Sequence, residues 1–216
     1  MKQEPCDWNV VIAGSWNRAI LTPNGIAKRL FKLPEGTGIQ VLVPVDLLQP
    51  PKVKHGGIVA TVDERRLIIG TETPTWEALA KAMQTGCNAL ADLPETPVLA
   101  AGVNVRFEIR DCVSQVEDIV QCVLDTHLSD AGYEIVTTGL TRSLRVKDDV
   151  FKEGVLNLSL HKKEPGSMRM EVNFHRDSKT PADLIKWLQI PMDKLKEQTV
   201  QLLQNADLPF EEIQHE

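Results

Sequence analysis

The run Asn173-Phe174-His175-Arg176-Asp177 carries the residue types of this sequence that are best suited to chemistry. A histidine has an unperturbed pKa near neutrality, so His175 suits the role of an acid, a base or a hydrogen-bond donor. The planar guanidinium of Arg176 suits a carboxylate or a phosphate. The alternative is that this pair only closes a turn, in which Asp177 satisfies backbone groups.

Period-two alternation places further polar residues beside this run. In the predicted strands 98–110, 153–161 and 167–176, apolar and polar side chains alternate, as in a sheet with one buried and one polar face. We expect the polar face to bind a small polar ligand or a protein. The candidate binding residues are Arg106, Arg169, Glu171, Asn173, His175 and Arg176. The alternative is a solvated face with cross-strand ion pairs.

Signatures of catalysis and of metal binding are missing from the sequence. It contains no G-x-S-x-G elbow, no Walker loop and no G-x-G-x-x-G after a strand. The five histidines and four cysteines show no metal-ligand spacing, so we expect no metal and no cofactor. His161 and His175 would have to meet across a hairpin, and a turn at Pro165 puts them out of register. The catalytic residue, if there is one, is His175.

Composition indicates an ordinary globular chain. The 216 residues are 42% hydrophobic and 25% charged, with a net charge of −6, which excludes the disordered, collagen-like and coiled-coil classes. No apolar run approaches the ~20 residues of a membrane helix, and the polar segment 1–7 is not a signal peptide. We therefore expect a cytoplasmic protein with reduced cysteines and no membrane partner.

The charge balance argues against nucleic acid as a partner. Residues 1–110 carry 12 basic and 11 acidic groups, and residues 111–216 carry 12 basic and 19 acidic groups. Neither half has the basic stripe with interleaved aromatic residues that phosphate backbones attract.

Capping signals and hydrophobic periodicity predict the elements that position these residues. Helices are expected at 23–32, 74–91, 115–130 and 181–204, and they start at Thr22-Pro23, Thr73-Pro74, a capping box at Ser114 and Thr180-Pro181. Pro191 either kinks the last helix or starts another one. Strands are expected at 8–17, 38–45, 57–63, 66–71, 98–110, 134–146, 153–161 and 167–176, with a loop from Gln49 to Gly57 that ends in a hairpin turn.

This order predicts an α+β fold made of two β-α-β-β-β-α halves, with antiparallel strands and helices packed on one face. The halves are residues 1–110 and 111–216, and they meet near residues 111–113. Together they are expected to form one integrated domain, in which strand 98–110 belongs to either half. Either they join into one curved sheet of about eight strands, or two sheets pack through their helices.

The N-terminal strands predict a second contact surface. Val11, Ala13 and Leu42 lie on the opposite side from Val10, Ile12, Val41 and Val43, and both sides are apolar. The second side must therefore meet the C-terminal half, a ligand or a second subunit, and a two-fold homodimer is the commonest closed solution.

Three short motifs resemble those of uncharacterised bacterial proteins of similar length. They are Trp8-Asn9-Val10-Val11-Ile12 with Thr22-Pro23, the strand Ala101-Gly102-Val103-Asn104-Val105, and Asn173-Phe174-His175-Arg176. The resemblance implies a bacterial, cytoplasmic origin and no particular activity.

These observations favour a non-catalytic interaction or ligand-binding protein that uses a polar sheet face. The alternative is a small hydrolase- or lyase-like enzyme with His175 and Arg176 at its site. A deep pocket around His175 would favour the enzyme, and a flat or self-complementary surface would favour the interaction protein.

Overall fold

The computed structural model describes residues 3–45, 49–110, 116, 119–135, 139–164, 166–206 and 208. Its strands are β1 (Gln3–Pro5), β2 (Asn9–Gly14), β3 (Gln40–Leu42), β4 (Lys52–His55), β5 (Ile58–Val62), β6 (Arg66–Thr71), β7 (Val98–Ile109), β8 (Gly139–Leu144), β9 (Val155–Glu164) and β10 (Ser167–Asp177). Its helices are α1 (Pro23–Arg29), α2 (Trp76–Asp92), α3 (Val123–Asp130), α4 (Pro181–Leu188) and α5 (Met192–Asn205).

All ten strands form one antiparallel sheet, which confirms the α+β fold. The strand order is β3-β4-β5-β6-β2-β7-β10-β9-β8, and β1 pairs with the far end of β7. The sheet is thus continuous, and it has two more strands than the eight expected. In the N-terminal part β2 lies beside β6, in the C-terminal part β7 lies beside β10, and the two parts join where β2 pairs with β7.

Two strands are additional to those predicted. Strand β4 lies inside the expected loop 49–57, where two prolines and two lysines conceal a strand whose single buried side chain is Val53. Strand β1 is short and is defined only by its pairing with β7. The hairpin turn after β4 is confirmed, since Gly56 and Gly57 both have positive φ and join β4 to β5.

The helix starts are partly as predicted. Helix α1 begins at Pro23, and the Thr22 hydroxyl accepts a hydrogen bond from the Gly25 amide over 3.2 Å. The predicted cap at Thr73-Pro74 is wrong, because Thr75 caps α2 and its hydroxyl accepts from the Ala78 amide. Thr73 instead closes the preceding turn, in which its carbonyl accepts from the Thr75 amide.

Two longer predictions also change. The prediction of a continuous helix over 115–130 is wrong, because residues 121 and 122 are not helical and α3 begins after Cys122. The capping box predicted at Ser114 lies outside the described residues. Strand 134–146 is confirmed for β8; residues 134, 135, 145 and 146 are not in a strand, and residues 136–138 lie outside the described part of the chain. Pro191 separates α4 from α5, so a second helix starts there.

The core lies between the helices and one face of the sheet. A row of buried side chains crosses seven strands in direct register: Val53, Ala60, Ile69, Val10, Val103, Phe174 and Leu156. Gly86 of α2 permits close packing here, because a Cβ at this position would lie 3.0 Å from Leu188 of α4 and 3.3 Å from Ile12 of β2. The opposite face of the sheet is called the open face below.

No described helix is both long enough and apolar enough to cross a membrane.

Candidate functional site

The open face holds five of the six residues singled out from the sequence. Residues directly opposite each other in antiparallel strands share a face, and the pairs Arg169–Glu108, Glu171–Arg106 and Asn173–Asn104 lie on the side away from Phe174 and Met170. His175 follows in the same alternation and lies opposite Gly102.

Arg176 is on the other face. Its strand neighbour across β7 is Ala101, and its guanidinium pairs with the Glu153 carboxylate at 2.9 Å and with the Glu153 carbonyl. The structure therefore does not bring Arg176 and His175 together into one constellation.

A ladder of hydrogen-bonded side chains crosses the open face. Its members lie in direct register on five strands and are Ser143, Asn157, Asn173, Asn104 and Asn9, called the asparagine ladder below. Ser143 donates to Asn157 Oδ1 over 2.7 Å, and Asn157 Nδ2 donates to Asn173 Oδ1 over 2.9 Å. Asn173 Nδ2 then donates to Asn104 Oδ1 over 2.6 Å, and Asn104 Nδ2 donates to Asn9 Oδ1 over 2.7 Å. All four bonds run in one direction, from β8 to β2.

Glycine at position 102 makes room for this ladder. A Cβ on Gly102 would lie 2.8 Å from Asn173 Nδ2, which is too close for the amide to keep its place. At the centre of the ladder, Asn104 is only 5% exposed, so its hydrogen bonds offset the cost of burying an amide.

Charged side chains beside the ladder neutralise one another. Arg106 pairs with Glu171 and also with the carboxylate and carbonyl of Asp7. Arg169 pairs with the other oxygen of Asp7. Sequence reasoning did not identify Asp7, because its place depends on β1 and β2 both pairing with the distant strand β7.

A thiol adjoins these charges. Cys6 is half-buried, and its amide donates to the Arg106 carbonyl over 2.8 Å. Burial raises the pKa of the Cys6 thiol above its usual value, and the neighbouring Asp7 carboxylate raises it further.

Among the residues that the structure describes, His175 has one polar side-chain partner. Its Nε2 lies 3.0 Å from Asp177 Oδ1, and its side chain is 34% exposed. As the sequence predicts, His161 is out of register with it: across the β9–β10 pair His161 faces Arg169, and His175 faces Val155. Within the described part of the chain, no cluster of three or more histidines, cysteines or carboxylates could hold a metal ion.

Apolar side chains lie among polar ones on the N-terminal part of the open face. Val11 lies opposite Ile68, which lies opposite Thr61, and the same row continues through Lys52 to Leu42. Leu42 is exposed, and the other side chains of this patch are partly exposed. We call Val11, Ala13, Leu42, Val59 and Ile68 the apolar patch. The prediction that Val11, Ala13 and Leu42 face away from Val10 and Val41 is confirmed by the register.

The helices that contact the sheet do not cover this patch. Helices α1, α2 and α4 pack on the face of Val10 and Ile12. The expectation that the second side meets the C-terminal half, a ligand or a second subunit stays a prediction. Two cavities, of about 610 and 520 Å³, lie elsewhere, around Arg18 and the turn between β5 and β6. His175 lines neither of them.

Comparison of this chain with known protein families, with curated proteins and with solved structures gives no significant match.

Proposed function

We propose that the chain is a non-catalytic, cytoplasmic interaction protein that binds a protein or a small polar ligand on the polar part of its open face. The apolar patch of the same face serves self-association as a homodimer. The observation that carries the proposal is the asparagine ladder, a hydrogen-bonded polar strip on an accessible sheet surface.

The ladder keeps capacity for further hydrogen bonds. A primary amide has two N–H donors and an oxygen with two acceptor positions. Within the described chain, Asn157 and Asn173 each spend one N–H and one acceptor position on the ladder, and both remain partly exposed. Since neighbouring strands are about 4.8 Å apart, these groups form a regular array. A partner meets side chains that are already held in place, which lowers the entropy cost of binding.

The paired charges favour a partner without strong net charge at this place. Asp7 and Glu171 already compensate Arg106 and Arg169. A charged ligand would have to compete with these pairs, whereas amide and hydroxyl groups would only extend the hydrogen bonding. This is the chemistry of a protein surface or of a neutral polar ligand.

One observation favours the alternative of a hydrolase- or lyase-like enzyme. The Asp177 carboxylate beside His175 is the arrangement that orients a histidine acting as a base. Arg176, the second residue of that hypothesis, points to the opposite face and pairs with Glu153. The interaction protein is therefore the better supported of the two.

The polar face is tested with the double variant Arg169→Ala/His175→Ala, which leaves the multiply bonded Arg106 in place. The matched control Arg29→Ala/His127→Ala removes the same residue types from helices α1 and α3 instead of from the sheet. A protein captured from a cell lysate by the unmodified chain is purified and titrated against all three. We expect the face variant to lose at least tenfold in affinity, the control to lose none, and the melting temperature to stay within a few degrees. Equal affinities, or a face variant that melts many degrees lower, would contradict the proposal.

A further inference from the structure

A groove lies where the loop after β2 meets the turn between β5 and β6. It consists of the two cavities of about 520 and 610 Å³, which both border on Arg18 and Glu64. Each volume lies in the range of sites that take a small ligand.

The floor of the smaller cavity is apolar. It is formed by Leu21, Ile26 of α1, Val53 of β4 and Val62 of β5, each of which is at most 5% exposed. Leu21 lies in the turn before α1 and the other three residues lie on three different elements, so the floor is part of the packed core. An apolar group of a ligand that entered the cavity would move from water to an apolar surface that exists before binding, which favours its binding.

The rim of the groove is held by backbone hydrogen bonds. Arg18 lies in a turn in which Asn17 Oδ1 accepts from the Ala19 amide over 2.9 Å and the Asn17 carbonyl accepts from the Leu21 amide over 3.0 Å. Glu64 lies in the turn between β5 and β6, and its carbonyl accepts from the Trp16 amide over 3.2 Å. The two turns are therefore fixed relative to each other.

Arg18 and Glu64 carry opposite charges and do not form an ion pair with each other. Within the described residues, Asp63 and Arg66 of the same turn form an ion pair at 2.8 Å, whereas the side chains of Arg18 and Glu64 have no such partner. A positive and a negative group thus flank one apolar floor. A purely anionic ligand would be attracted by Arg18 and repelled by Glu64. A cationic ligand would be attracted by Glu64 and repelled by Arg18.

We propose that this groove binds a zwitterionic α-amino acid with an apolar side chain. The carboxylate pairs with the Arg18 guanidinium, the ammonium group pairs with the Glu64 carboxylate, and the side chain lies on the floor of Leu21, Ile26, Val53 and Val62. This ligand class uses the apolar floor together with Arg18 and Glu64, the two charged residues that line the smaller cavity, whereas Arg65 lines only the larger one.

The experiment is calorimetric titration of the whole chain with L-phenylalanine and with two analogues that each lack one ionic group. The analogue 3-phenylpropanoate has no ammonium group, and phenethylamine has no carboxylate. The variants are Arg18→Gln and Glu64→Gln, and the matched controls are Arg145→Gln and Glu95→Gln at exposed positions outside the groove. A third variant, Ala19→Trp, fills the cavity from its rim without removing a core side chain.

We expect L-phenylalanine to bind, and each analogue to bind at least tenfold more weakly. Arg18→Gln should weaken L-phenylalanine and leave phenethylamine unchanged, because the carboxylate that it would hold is absent from that analogue. Glu64→Gln should act on L-phenylalanine in the same way and leave 3-phenylpropanoate unchanged. Ala19→Trp should abolish binding, and both controls should bind as the unmodified chain does.

Three results would overturn the proposal. They are no heat of binding with L-phenylalanine at millimolar concentration, equal affinity for L-phenylalanine and 3-phenylpropanoate, and affinities that none of the groove variants changes.

Discussion

Asn173 reaches Asn104 across β7 and β10 because position 102, beside it, carries no side chain. Gly102→Ala would place a methyl group 2.8 Å from Asn173 Nδ2. The amide would have to move, and both of its ladder bonds would be broken while Asn104 stays buried. We predict a loss of about 1–3 kcal/mol in the free energy of unfolding, measured by urea denaturation.

Gly70 supplies the control at the end of the same row. It lies opposite Asn9 on β2, and a Cβ there would meet only the Val59 carbonyl at 3.9 Å, which is ordinary contact. Gly70→Ala should be neutral or stabilise the fold by up to about 1 kcal/mol. Equal losses for the two variants would show that the ladder does not stabilise the fold.

Cys87 illustrates how burial changes chemistry at a single residue. It lies on the inner side of α2, is 4% exposed, and burial raises the pKa of its thiol to about 11 from an ordinary 9.0. At pH 8 its reactive thiolate is therefore ~100-fold scarcer than in the unfolded chain. Between pH 9 and 11 the unfolded state loses this proton while the folded state keeps it, so the free energy of unfolding should fall as the pH rises.

Alkylation of a variant that retains only Cys87 tests this. We expect labelling with iodoacetamide at pH 8 to be at least 100-fold slower in buffer than in urea. A variant that retains only the exposed Cys122 should react at similar rates in both. Fast labelling of Cys87 in the folded protein would contradict its place in the core.

At the scale of the elements, the start of α2 depends on one hydroxyl. Thr75 Oγ1 accepts from the Ala78 amide over 3.2 Å and satisfies one of the free N–H groups of the first turn. Thr75→Ala should cost about 1 kcal/mol. Thr73→Ala should cost much less, because the Thr73 side chain makes no hydrogen bond among the described residues. Urea denaturation of the two variants separates the observed cap from the one expected at Thr73-Pro74.

The elements that the sequence predicts well are those with complete period-two alternation. In β10, and in β9 as far as Leu160, buried and partly exposed positions alternate regularly, so both the strands and their faces follow from the pattern. In β7 the alternation begins only after Val105, because Ala100 to Val105 are all buried. The same rule separates Arg176 from His175, since adjacent strand residues point to opposite faces. Grouping them in one site followed their nearness in the chain rather than this geometry.

Other features depend on contacts that no local pattern contains. Strand β4 is fixed by the burial of Val53 against neighbouring strands, although prolines and lysines around it are typical of a loop. The asparagine ladder forms only when five strands pair in one particular register. Because the sequence shows its members only as separate polar residues, the ladder could not be predicted from it. Asp7 joins Arg106 to Arg169 only after the N-terminal segment has paired with β7.

At the scale of the whole molecule, the open face has two chemically different parts. The apolar patch lies on β2, β3, β5 and β6, whereas the paired Arg106, Arg169 and Glu171 lie on β7 and β10. The ladder crosses the seam between β2 and β7 and ends at Asn9. Helices α1, α2 and α4 contact the other face, and on this ground we propose the open face as the surface that meets a partner. Burial of its apolar patch in a two-fold interface would contribute about 25 cal/mol per Å² before the costs of association.

Light scattering at micromolar concentration tests most directly whether this face is an interaction surface. The unmodified chain should give about twice its mass of 24.1 kDa. Ile68→Glu, in the centre of the apolar patch, should give a folded monomer. Leu124→Glu changes a leucine on α3 that is 62% exposed and should leave the dimer intact. A monomeric unmodified chain, or a dimer that survives Ile68→Glu, would contradict the assignment of the open face as the surface of self-association.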